Sequence, residues 1–377
     1  MSSGAPSPPA AGSAPGEAAR VWTPKTLLAW TEGYLRAKGV ATPRLDAELL
    51  LAHSLGLKRL DLYLQFDRPM AAPELTRFRE QVRRRGERVP VAYLTGEAEF
   101  WSLTLEMAPG CLIPRPDTET LVDEVLAAIA ELRGLPPQLP GGTPPPLADA
   151  ADGTPPPLAD AADGTPPPRA EAADGSAQPP AERPLLAPAP VPAPPALALT
   201  VLELGTGSGA IALAACSETE GLTWIALERS PEALAVARRN RARHAALLAP
   251  RRNRLWLVRG DGFAALQSAA PGGPADLIVS NPPYIPSAAI GDLMPEVSRY
   301  EPRAALDGGP DGLAFYRLLL AEAAQRLRPG GRLVVELGHD QLQAVRGLAA
   351  AHPALAEAGI RRDLGGHARV LDLRKLG

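Results

Sequence analysis

Apolar residues recur with two different periods along this chain, and the change of period divides it into two parts. From residue 21 to residue 90 the spacing is helical, and a threonine followed by a proline marks the start of the first helix. From residue 199 onward, short apolar runs alternate with helical stretches. This alternation is typical of a parallel sheet covered by helices on both faces, so the second part is predicted to be a doubly wound α/β domain.

The elements of the α/β domain follow from this pattern. The predicted strands share an apolar run between polar or glycine-rich connections, at residues 199–204, 222–227, 255–258, 276–280, 332–337 and 369–373. The predicted helices share helical spacing, beginning at residue 210 and spanning residues 231–244 and 312–327. Ser230 stands at the N-cap position of the helix that begins with Pro231.

In the first part, the helix predicted over Arg44–Leu55 divides into an apolar and a charged side. The positions predicted to face the core are apolar: Leu45, Leu49, Leu50 and Ala52. The positions predicted to face mostly outward are polar: Arg44, Asp46, Glu48 and His53.

A third helix, predicted over Ala72–Gly86, carries a run of basic residues: Arg77, Arg79, Arg83, Arg84 and Arg85. Such a run is most often a solvated helix face, and a docking face for an acidic or RNA-bound partner is the alternative. A small helical domain at residues 21–90, placed before an α/β domain, suits the recognition of a partner or substrate. Nothing in it is predicted to be catalytic.

Residues 91–110 join the two parts, and their alternating apolar residues predict a β-hairpin connector. The sequence LIPRPDTE follows at Leu112–Glu119, where two prolines stiffen the chain. Asp117 or Thr118 is predicted to cap the helix that comes next. Arg115 is a candidate for lining a substrate pocket, with a simple capped helix start as the alternative interpretation of the segment.

Proline content separates two further segments from the folded parts. The 44 prolines are concentrated in residues 1–20 and 134–198, which hold few large apolar side chains. The first is predicted to be a disordered tail, because it cannot offset the entropy of ordering. The second contains the unit Gly142–Asp152, which recurs at Gly153–Asp163 and, altered, at Gly164–Asp174. We interpret it as a repeat-expanded linker inserted into the α/β domain, and a proline-binding partner is the alternative.

Charge and cysteine content narrow the class of protein. The net charge of −3 disfavours a protein that holds nucleic acid mainly through phosphate contacts. Cys111 and Cys216 lack metal-ligand spacing, and the five histidines are scattered, so no metal site is expected and a reducing compartment is favoured. We expect neither a membrane span nor a signal peptide, and therefore a cytoplasmic protein.

The candidate chemistry begins with Asn281-Pro282-Pro283-Tyr284, directly after the strand predicted at 276–280. The prolines cannot extend the sheet, so a rigid turn is predicted at the end of a parallel strand, where open α/β sheets bind ligands. The Asn281 side-chain oxygen and the Pro282 carbonyl can accept the two N–H bonds of a planar NH2 group. Tyr284 can stack on that group. We predict a clamp that orients a nitrogen nucleophile; a proline-rich turn without function is the alternative.

A second candidate site follows the first strand of the sheet. The sequence ELGTGSG opens a helix there, and its candidate cofactor-binding residues are Gly205, Thr206, Gly207, Ser208 and Gly209. Glu228 ends the next strand, where a carboxylate can accept from both ribose hydroxyls, so a cofactor containing adenosine is predicted. The glycine spacing also fits the dinucleotide fingerprint, so a nicotinamide or flavin enzyme stays open on the glycines alone.

The clamp decides between these cofactors. A hydride-transfer enzyme has no use for a group that holds NH2, whereas a methyl donor needs an oriented nitrogen opposite it. We therefore predict an S-adenosylmethionine-dependent methyltransferase, with Asn281 also near the donor. At the end of the third strand, Asp261 and Gly262 are predicted beside the adenine, and Phe263 is predicted to pack on its ring. A helix cap is the alternative for Asp261.

Taken together, these motifs resemble the peptide chain release factor glutamine methyltransferases, the HemK/PrmC family. The resemblance covers nearly all of the chain except the tail and the repeat insertion, and LIPRPDTE followed by NPPY is its most specific part. The matching segments are Phe100-Trp101, Leu112–Glu119, Glu203–Gly209, Ser230–Leu234, Asn281–Tyr284 and Glu301–Gly309.

The resemblance implies a Rossmann-like, seven-stranded class I methyltransferase domain at residues 111–133 and 199–377, preceded by a small helical domain. That the helical domain docks the substrate is a further hypothesis. The resemblance also implies the glutamine of the Gly-Gly-Gln motif of bacterial release factors as the substrate, and it carries the donor and clamp sites over to the residues named above. Two departures are Glu228, where the family often has Asp, and Gly262, where an aromatic side chain can pack on adenine.

Alternatives of other kinds remain at this point. A methyltransferase that acts on the amino group of a nucleic-acid base would fit the same clamp. A catalytically silent module could use the adenosine pocket for binding alone. We expect a monomer that binds release factors, with no membrane contact and no direct nucleic-acid binding.

Overall fold

The structure, a computed structural model, describes residues 21–135, 198–266 and 273–377. The tail predicted at residues 1–20 lies outside the described residues. So do the repeats of the linker predicted at residues 134–198. None of the helices in the described ranges has the length and apolarity that a membrane span requires.

The first part of the chain is a small helical domain, as its periodicity predicts. Its helices are α1 Pro24–Ala37, α2 Pro43–Leu55, α3 Asp61–Leu64, α4 Ala72–Gly86 and α5 Val91–Thr95. Thr23 caps α1, because its side chain accepts from the Thr26 N–H in a capping box. Leu28, Leu50 and Phe78 are buried in the core that these helices share.

The predicted orientation of α2 is confirmed for Leu50 and Ala52, which are buried. It is wrong for four other positions. Leu45 and Leu49 are 38% and 36% exposed, whereas Asp46 and Glu48 are each only 5% exposed. The reason is a partner from another helix: Arg85 Nε donates to Asp46 Oδ2 at 2.7 Å. A buried charge is tolerated when it is paired and hydrogen-bonded, so the helix turns its carboxylates inward.

The arginine run of α4 lies only partly on the surface. Arg83 pairs with Glu80 at 2.7 Å and Glu87 at 2.5 Å on the surface, as a solvated face requires. Arg85 is 5% exposed and lies inside the protein, so the prediction of an outward run is wrong for this residue. Its Nη2 also donates to Glu296 Oε1 at 2.8 Å, which links α4 to the second part of the chain.

The connector is a hairpin only in part. Residues Val91–Thr95 form α5, because a proline precedes them and its carbonyl accepts the first helical hydrogen bonds. The hairpin then pairs β1 Glu97–Phe100 with antiparallel β2 Leu103–Glu106. Trp101 and Ser102 form its turn at φ values of +52° and +58°. Left-handed backbone at both central residues matches the twist of a two-residue hairpin.

The second part is a doubly wound α/β domain, as predicted. In the described residues, one sheet contains seven strands in the order β5-β4-β3-β6-β7-β9-β8, and β9 is antiparallel to both of its neighbours. The strands are β3 Leu199–Leu204, β4 Leu222–Glu228, β5 Arg254–Arg259, β6 Ala275–Ser280, β7 Leu327–Glu336, β8 Leu355–Arg362 and β9 Ala368–Lys375. Strand β8 was not predicted. It is an edge strand whose side chains are mostly exposed or half-buried, so its sequence lacks the apolar run that predicted the other strands.

Helices cover both faces of this sheet. They are α6 Glu119–Leu132, α7 Ala210–Glu218, α8 Pro231–Arg243, α9 Ala245–Leu248, α10 Pro295–Tyr300, α11 Ala314–Arg326 and α12 Leu342–Ala349. Successive residues of β3 serve the two sides: Val201 packs in the core beneath α6 and α7, and Leu202 packs in the core beneath α11. The predicted N-cap of α8 is confirmed, since Ser230 Oγ accepts from the Ala233 N–H at 3.1 Å.

The strand order determines where a ligand can bind. β3 pairs with β4 on one side and with β6 on the other, so the chain changes direction across the sheet at β3. A crevice opens at such a switch point, outside the carboxyl ends of the strands. Ser280 Oγ donates to Leu204 O at 2.9 Å, which holds the ends of β6 and β3 together. Both candidate motifs begin at these two strand ends.

Candidate active site

A cavity of about 370 Å³ lies at the carboxyl ends of β3, β4 and β6. Its volume falls in the range of small-molecule sites. Backbone and side-chain atoms of both candidate motifs form its polar wall. Its apolar wall includes Leu204 and Leu227 at the strand ends and Leu318 on α11. The sequence-predicted residues that line it are Gly205, Gly207, Glu228, Asp261, Gly262, Asn281, Pro282 and Pro283.

The glycine loop exposes backbone to this cavity. Gly205 and Gly207 have φ values of +75° and +57°, a conformation that L side chains rarely adopt. A Cβ added at either residue would meet no atom within 4 Å, so the space above the loop is open to the cavity. Gly209, at φ +82°, would instead place a Cβ in ordinary contact with Ala237 Cβ at 3.5 Å, so its left-handed backbone rather than a lack of space favours glycine there.

Two residues of the loop point away from the cavity. The Thr206 hydroxyl donates to Glu203 Oε2 at 2.9 Å, and Trp224 Nε1 donates to the same oxygen at 2.8 Å. Burial raises the pKa of Glu203 to about 7, against the opposing effect of these hydrogen bonds. Ser208 is buried, and its carbonyl accepts from Asn240 Nδ2 at 3.0 Å. Thr206 and Ser208 therefore shape the loop rather than the cavity wall.

Glu228 connects the loop to the next strand. Its Oε2 accepts from the Gly207 N–H at 2.9 Å, and its Oε1 accepts from the Ser230 N–H at 2.8 Å. A carboxylate has about four lone-pair positions, so both oxygens retain acceptor capacity on the cavity side. This arrangement fits the two hydroxyls of a ribose.

The end of β5 departs from its prediction at one residue. The Asp261 side chain is 83% exposed at the cavity rim, and Gly262 lines the cavity at φ +56°. Phe263 is 2% exposed and packs in the core beneath α11, so the expectation that it packs on adenine is corrected. The left-handed turn at Gly262 sends the next side chain inward. Phe315 and Leu318 of α11 supply the apolar wall instead.

In the NPPY loop, Asn281–Tyr284, three residues line the cavity and the fourth does not. Asn281, Pro282 and Pro283 line the cavity, and Asn281 Nδ2 donates to Thr118 Oγ1 at 3.1 Å. Tyr284 is half-buried against the core and is not among the lining residues, so the expected stacking of its ring on a substrate is corrected. Its hydroxyl donates to Glu336 Oε1 at 3.4 Å. Burial raises the pKa of Tyr284, which stays a neutral donor.

Arg115 of the LIPRPDTE segment pairs with Glu301, which is 6% exposed. Glu301 Oε2 also accepts from the Ile113 N–H at 3.1 Å. Arg115 is not among the cavity-lining residues, so in this structure it ties its loop to the EPRAALDGG segment.

The cap predicted for α6 is wrong, because neither candidate side chain bonds the helix start. Asp117 Oδ2 lies 2.8 Å from Arg369 Nη2, and Thr118 Oγ1 accepts a hydrogen bond from Asn281 Nδ2. Both side chains are therefore turned toward β9 and the NPPY loop. The prediction missed these partners because they stand more than a hundred residues away along the chain.

Sequence reasoning also missed two buried carboxylates at the site, Glu301 and Glu336. Glu301 begins the EPRAALDGG segment, Glu301–Gly309. This segment matched the family in the sequence analysis, but none of its residues was assigned a role. Glu336 interrupts an apolar strand, and a lone carboxylate in such a run is the signal that could have identified it.

The strand order, the antiparallel β9 and the cavity over the glycine loop define a class I, S-adenosylmethionine-dependent methyltransferase. The residues present fit that cofactor: the Gly205–Gly207 backbone leaves an open cradle, and Glu228 offers acceptors for its ribose.

Comparisons with known proteins specify the family. A family model described as PrmC N-terminal domain matches residues 26–96, and one described as Methyltransferase small domain matches residues 190–294. The release factor glutamine methyltransferase of Geobacter sulfurreducens is 38% identical over 332 residues, which cover 88% of this chain and 90% of that protein. The protein of the same name from Rhodopirellula baltica is 34% identical over 355 residues, which cover 94% and 97%.

Among solved structures, a release-factor-specific protein-(glutamine-N5) methyltransferase from Alicyclobacillus acidocaldarius is 24% identical, covers 72% of this chain and 100% of its own, and has a TM-score of 0.32. The family assignment rests on the sequence relatives. This chain belongs to the release factor glutamine methyltransferase family.

Proposed function

We propose that this protein methylates the side-chain amide nitrogen of the glutamine in the Gly-Gly-Gln motif of peptide chain release factors. The observation that carries the proposal is a shared cavity: the glycine loop after β3 and the residues Asn281–Pro283 after β6 line it together. The names of the relatives supply the substrate class. When bound, S-adenosylmethionine would supply an electrophilic methyl group on a sulfonium sulfur: the C–S bond would break as the C–N bond forms, S-adenosylhomocysteine would leave, and the amide nitrogen would release one proton to solvent.

The work of the chain is to orient a weak nucleophile. The lone pair of an amide nitrogen is delocalised into its carbonyl, so the group must be held with its nitrogen facing the donor. Asn281 Oδ1 and the Pro282 carbonyl accept the two N–H bonds of the substrate. Orientation of this kind supplies about 7 to 11 kcal/mol of barrier lowering without a general base. Leu204, Leu227 and Leu318 line the same space and give it an apolar wall.

The test replaces the amide that holds the substrate. We expect Asn281→Ala to lower kcat for release factor by about a hundredfold or more, because the nitrogen loses its orientation. The Kd for S-adenosylhomocysteine should change by less than about threefold, since the backbone cradle and Glu228 remain. Gln343→Ala is the matched control, because it removes an exposed amide on α12. Equal turnover by Asn281→Ala and the parent protein would refute the clamp.

The substrate is identified by offering radiolabelled donor with intact release factor, with a release factor whose motif glutamine is replaced by alanine, and with RNA or DNA. Label on the first alone supports the proposal. Label on nucleic acid would establish the base-directed methyltransferase instead, and absence of turnover on all of them would leave a binding module. We further propose a monomer, which light scattering of the purified protein tests.

The helical domain is proposed as the release-factor dock. Supporting this, α3 and the residue before it carry exposed apolar side chains, Leu60 at 74% and Leu64 at 85%. Replacing both with serine should raise KM for release factor and leave kcat unchanged. Leu376→Ser, at a 49% exposed position near the carboxyl terminus, is the control. An unchanged KM in the double variant would remove this surface from the docking proposal.

A further inference from the structure

One wall of the cavity is built by two segments that lie far apart in the sequence. The LIPRPDTE segment supplies Leu112, and the EPRAALDGG segment supplies Pro302, Ala304 and Ala305. We call these four residues the acceptor wall. Their side chains are all apolar, so none of them can hold a neighbouring segment by a hydrogen bond. The two segments therefore need another group to fix them relative to each other.

The order of the strands shows which side of the cavity the EPRAALDGG segment borders. Strands β5, β4 and β3 all stand on one side of β6, and the lining residues proposed to hold the donor lie at the ends of those three strands. The clamp follows β6. The Ile285 N–H donates to Leu306 O at 3.0 Å, and the Gly308 N–H donates to Ile285 O at 2.8 Å. The EPRAALDGG segment therefore runs beside the chain that leaves the clamp, on the substrate side of the cavity.

Glu301 joins the two segments of the acceptor wall. Its Oε2 accepts from the Ile113 N–H at 3.1 Å, and its Oε1 accepts from Arg115 Nη2. Ile113 directly follows Leu112, and Glu301 directly precedes Pro302. The contact between Glu301 and Ile113 thus lies next to a wall residue on each segment. The Glu301 side chain is 1% exposed, so water cannot take its place.

With this carboxylate, the three motif segments are joined pairwise in a closed set of contacts. Asn281 of the NPPY loop donates to Thr118 of the LIPRPDTE segment at 3.1 Å. Ile285, directly after the NPPY loop, donates to Leu306 of the EPRAALDGG segment. Glu301 makes the third contact, between the EPRAALDGG and LIPRPDTE segments. Removing its side chain would therefore release the two wall segments from each other.

We propose that Glu301 is a positioning residue for methyl transfer, which holds the acceptor wall in the shape that keeps the substrate amide against Asn281. Glu301 does not line the cavity, so it acts through the wall. Apolar residues can often replace a buried ion pair without loss of stability, so stability alone does not account for a carboxylate here. Its oxygens bind a backbone N–H and a guanidinium in fixed directions, which an apolar side chain cannot do. This inference deepens the proposed function and rests on it.

The experiment compares Glu301→Ala, Glu301→Gln and Arg115→Met with the parent protein, measuring kcat and KM for intact release factor and the Kd for S-adenosylhomocysteine. Glu301→Ala should lower kcat at least about tenfold, because a displacement of about 1 Å misplaces the amide. The Kd should change by less than about threefold, since the glycine loop and Glu228 remain. Glu301→Gln and Arg115→Met should each lower kcat less than Glu301→Ala, because both keep an acceptor for the Ile113 N–H.

Asp276→Ala is the matched control. Asp276 also accepts from one backbone N–H, that of Thr200 at 2.7 Å, and from one arginine, Arg328. It lies near the start of β6, at the opposite end of that strand from the clamp. Its removal should lower the midpoint of thermal unfolding and leave kcat and the Kd for S-adenosylhomocysteine unchanged. The control therefore separates a loss of positioning from a general loss of stability.

A folded Glu301→Ala variant with the parent kcat would overturn the inference. So would a rise in the Kd for S-adenosylhomocysteine as large as the fall in kcat, since Glu301 would then support the whole cavity. These outcomes differ from failure of the proposed function, in which Asn281→Ala keeps full turnover. Circular dichroism establishes that each variant folds. If Glu301→Ala does not fold, a lowered kcat with unchanged Kd in Glu301→Gln or Arg115→Met supports the inference, and the parent kcat in both overturns it.

Discussion

Glu296 holds the segment that follows the clamp against the helical domain, and its removal tests how strongly. It lies in the first turn of α10. Arg85 donates to its Oε1 at 2.8 Å, and Arg88 donates to both of its oxygens at 2.7 and 2.6 Å. Asp46 completes the cluster through Arg85 at 2.7 Å. The four side chains carry two charges of each sign, so replacing Glu296 with glutamine leaves one positive charge uncompensated.

The size of the expected loss of stability follows from the burial of these charged side chains. The side chains of Arg85, Glu296 and Arg88 are 6%, 13% and 16% exposed, so solvent cannot replace the lost partner fully. Removing one member of a fully buried ion pair costs about 3 to 5 kcal/mol. Because Arg85 keeps Asp46 and Arg88 keeps some contact with water, we expect Glu296→Gln to lower the free energy of unfolding by about 2 to 3 kcal/mol.

The pH dependence has a definite sign. Burial raises the pKa of Glu296, but hydrogen bonds from Arg88 and Arg85 outweigh that effect, so its pKa lies below the ordinary value of 4.5. A carboxylate with a lowered pKa contributes stability that is present above pH 4.5 and is lost as pH falls through its folded-state pKa. The difference between the parent protein and Glu296→Gln should therefore disappear in acid.

The assay is urea unfolding followed by tryptophan fluorescence, in a double-mutant cycle of Glu296→Gln with Arg88→Met. Glu357→Gln is the control: Glu357 pairs with Arg346 at 2.6 Å, but both side chains are 37% exposed. Breaking that surface pair should cost less than about 1 kcal/mol. A coupling energy between Glu296 and Arg88 below about 0.5 kcal/mol would refute the reasoning.

Two further predictions concern the glycine loop. Gly207→Ala should raise the Kd for S-adenosylhomocysteine by at least about tenfold, measured by calorimetry, because a left-handed alanine is strained by about 1 to 2 kcal/mol and its methyl enters the cradle. Gly33→Ala, at an open position in α1, is its control. For Glu203, whose pKa of about 7 lies above the ordinary 4.5, the stability contribution is full below pH 4.5 and is lost as pH rises through 7. Glu203→Gln should remove part of that slope in urea unfolding; an unchanged slope would show that Glu203 does not contribute to it.

Local patterns predicted a large part of this fold. Strand β3 was predicted with its observed bounds, because a strand covered on both faces is a continuous apolar run. The Ser230 cap was predicted because it depends on atoms only three residues apart. The same holds for the cavity position of Gly205 and Gly207, since a glycine-rich turn between strand and helix needs no distant partner.

Tertiary contacts determined what these patterns could not. Asp46 is buried because Arg85 reaches it from 39 residues away. Phe263 faces the core because the turn before it is left-handed, and there it packs in one cluster with residues of α11.

What the amino-acid sequence determined by itself is therefore the set of elements and the chemical groups at their ends, because hydrophobic period, caps and turns act over a few residues. Only the tertiary structure decided which polar groups form hydrogen bonds with each other, as Asn281 and Thr118 do. A hydrogen bond between distant segments depends on the packed fold that brings its donor and acceptor within reach.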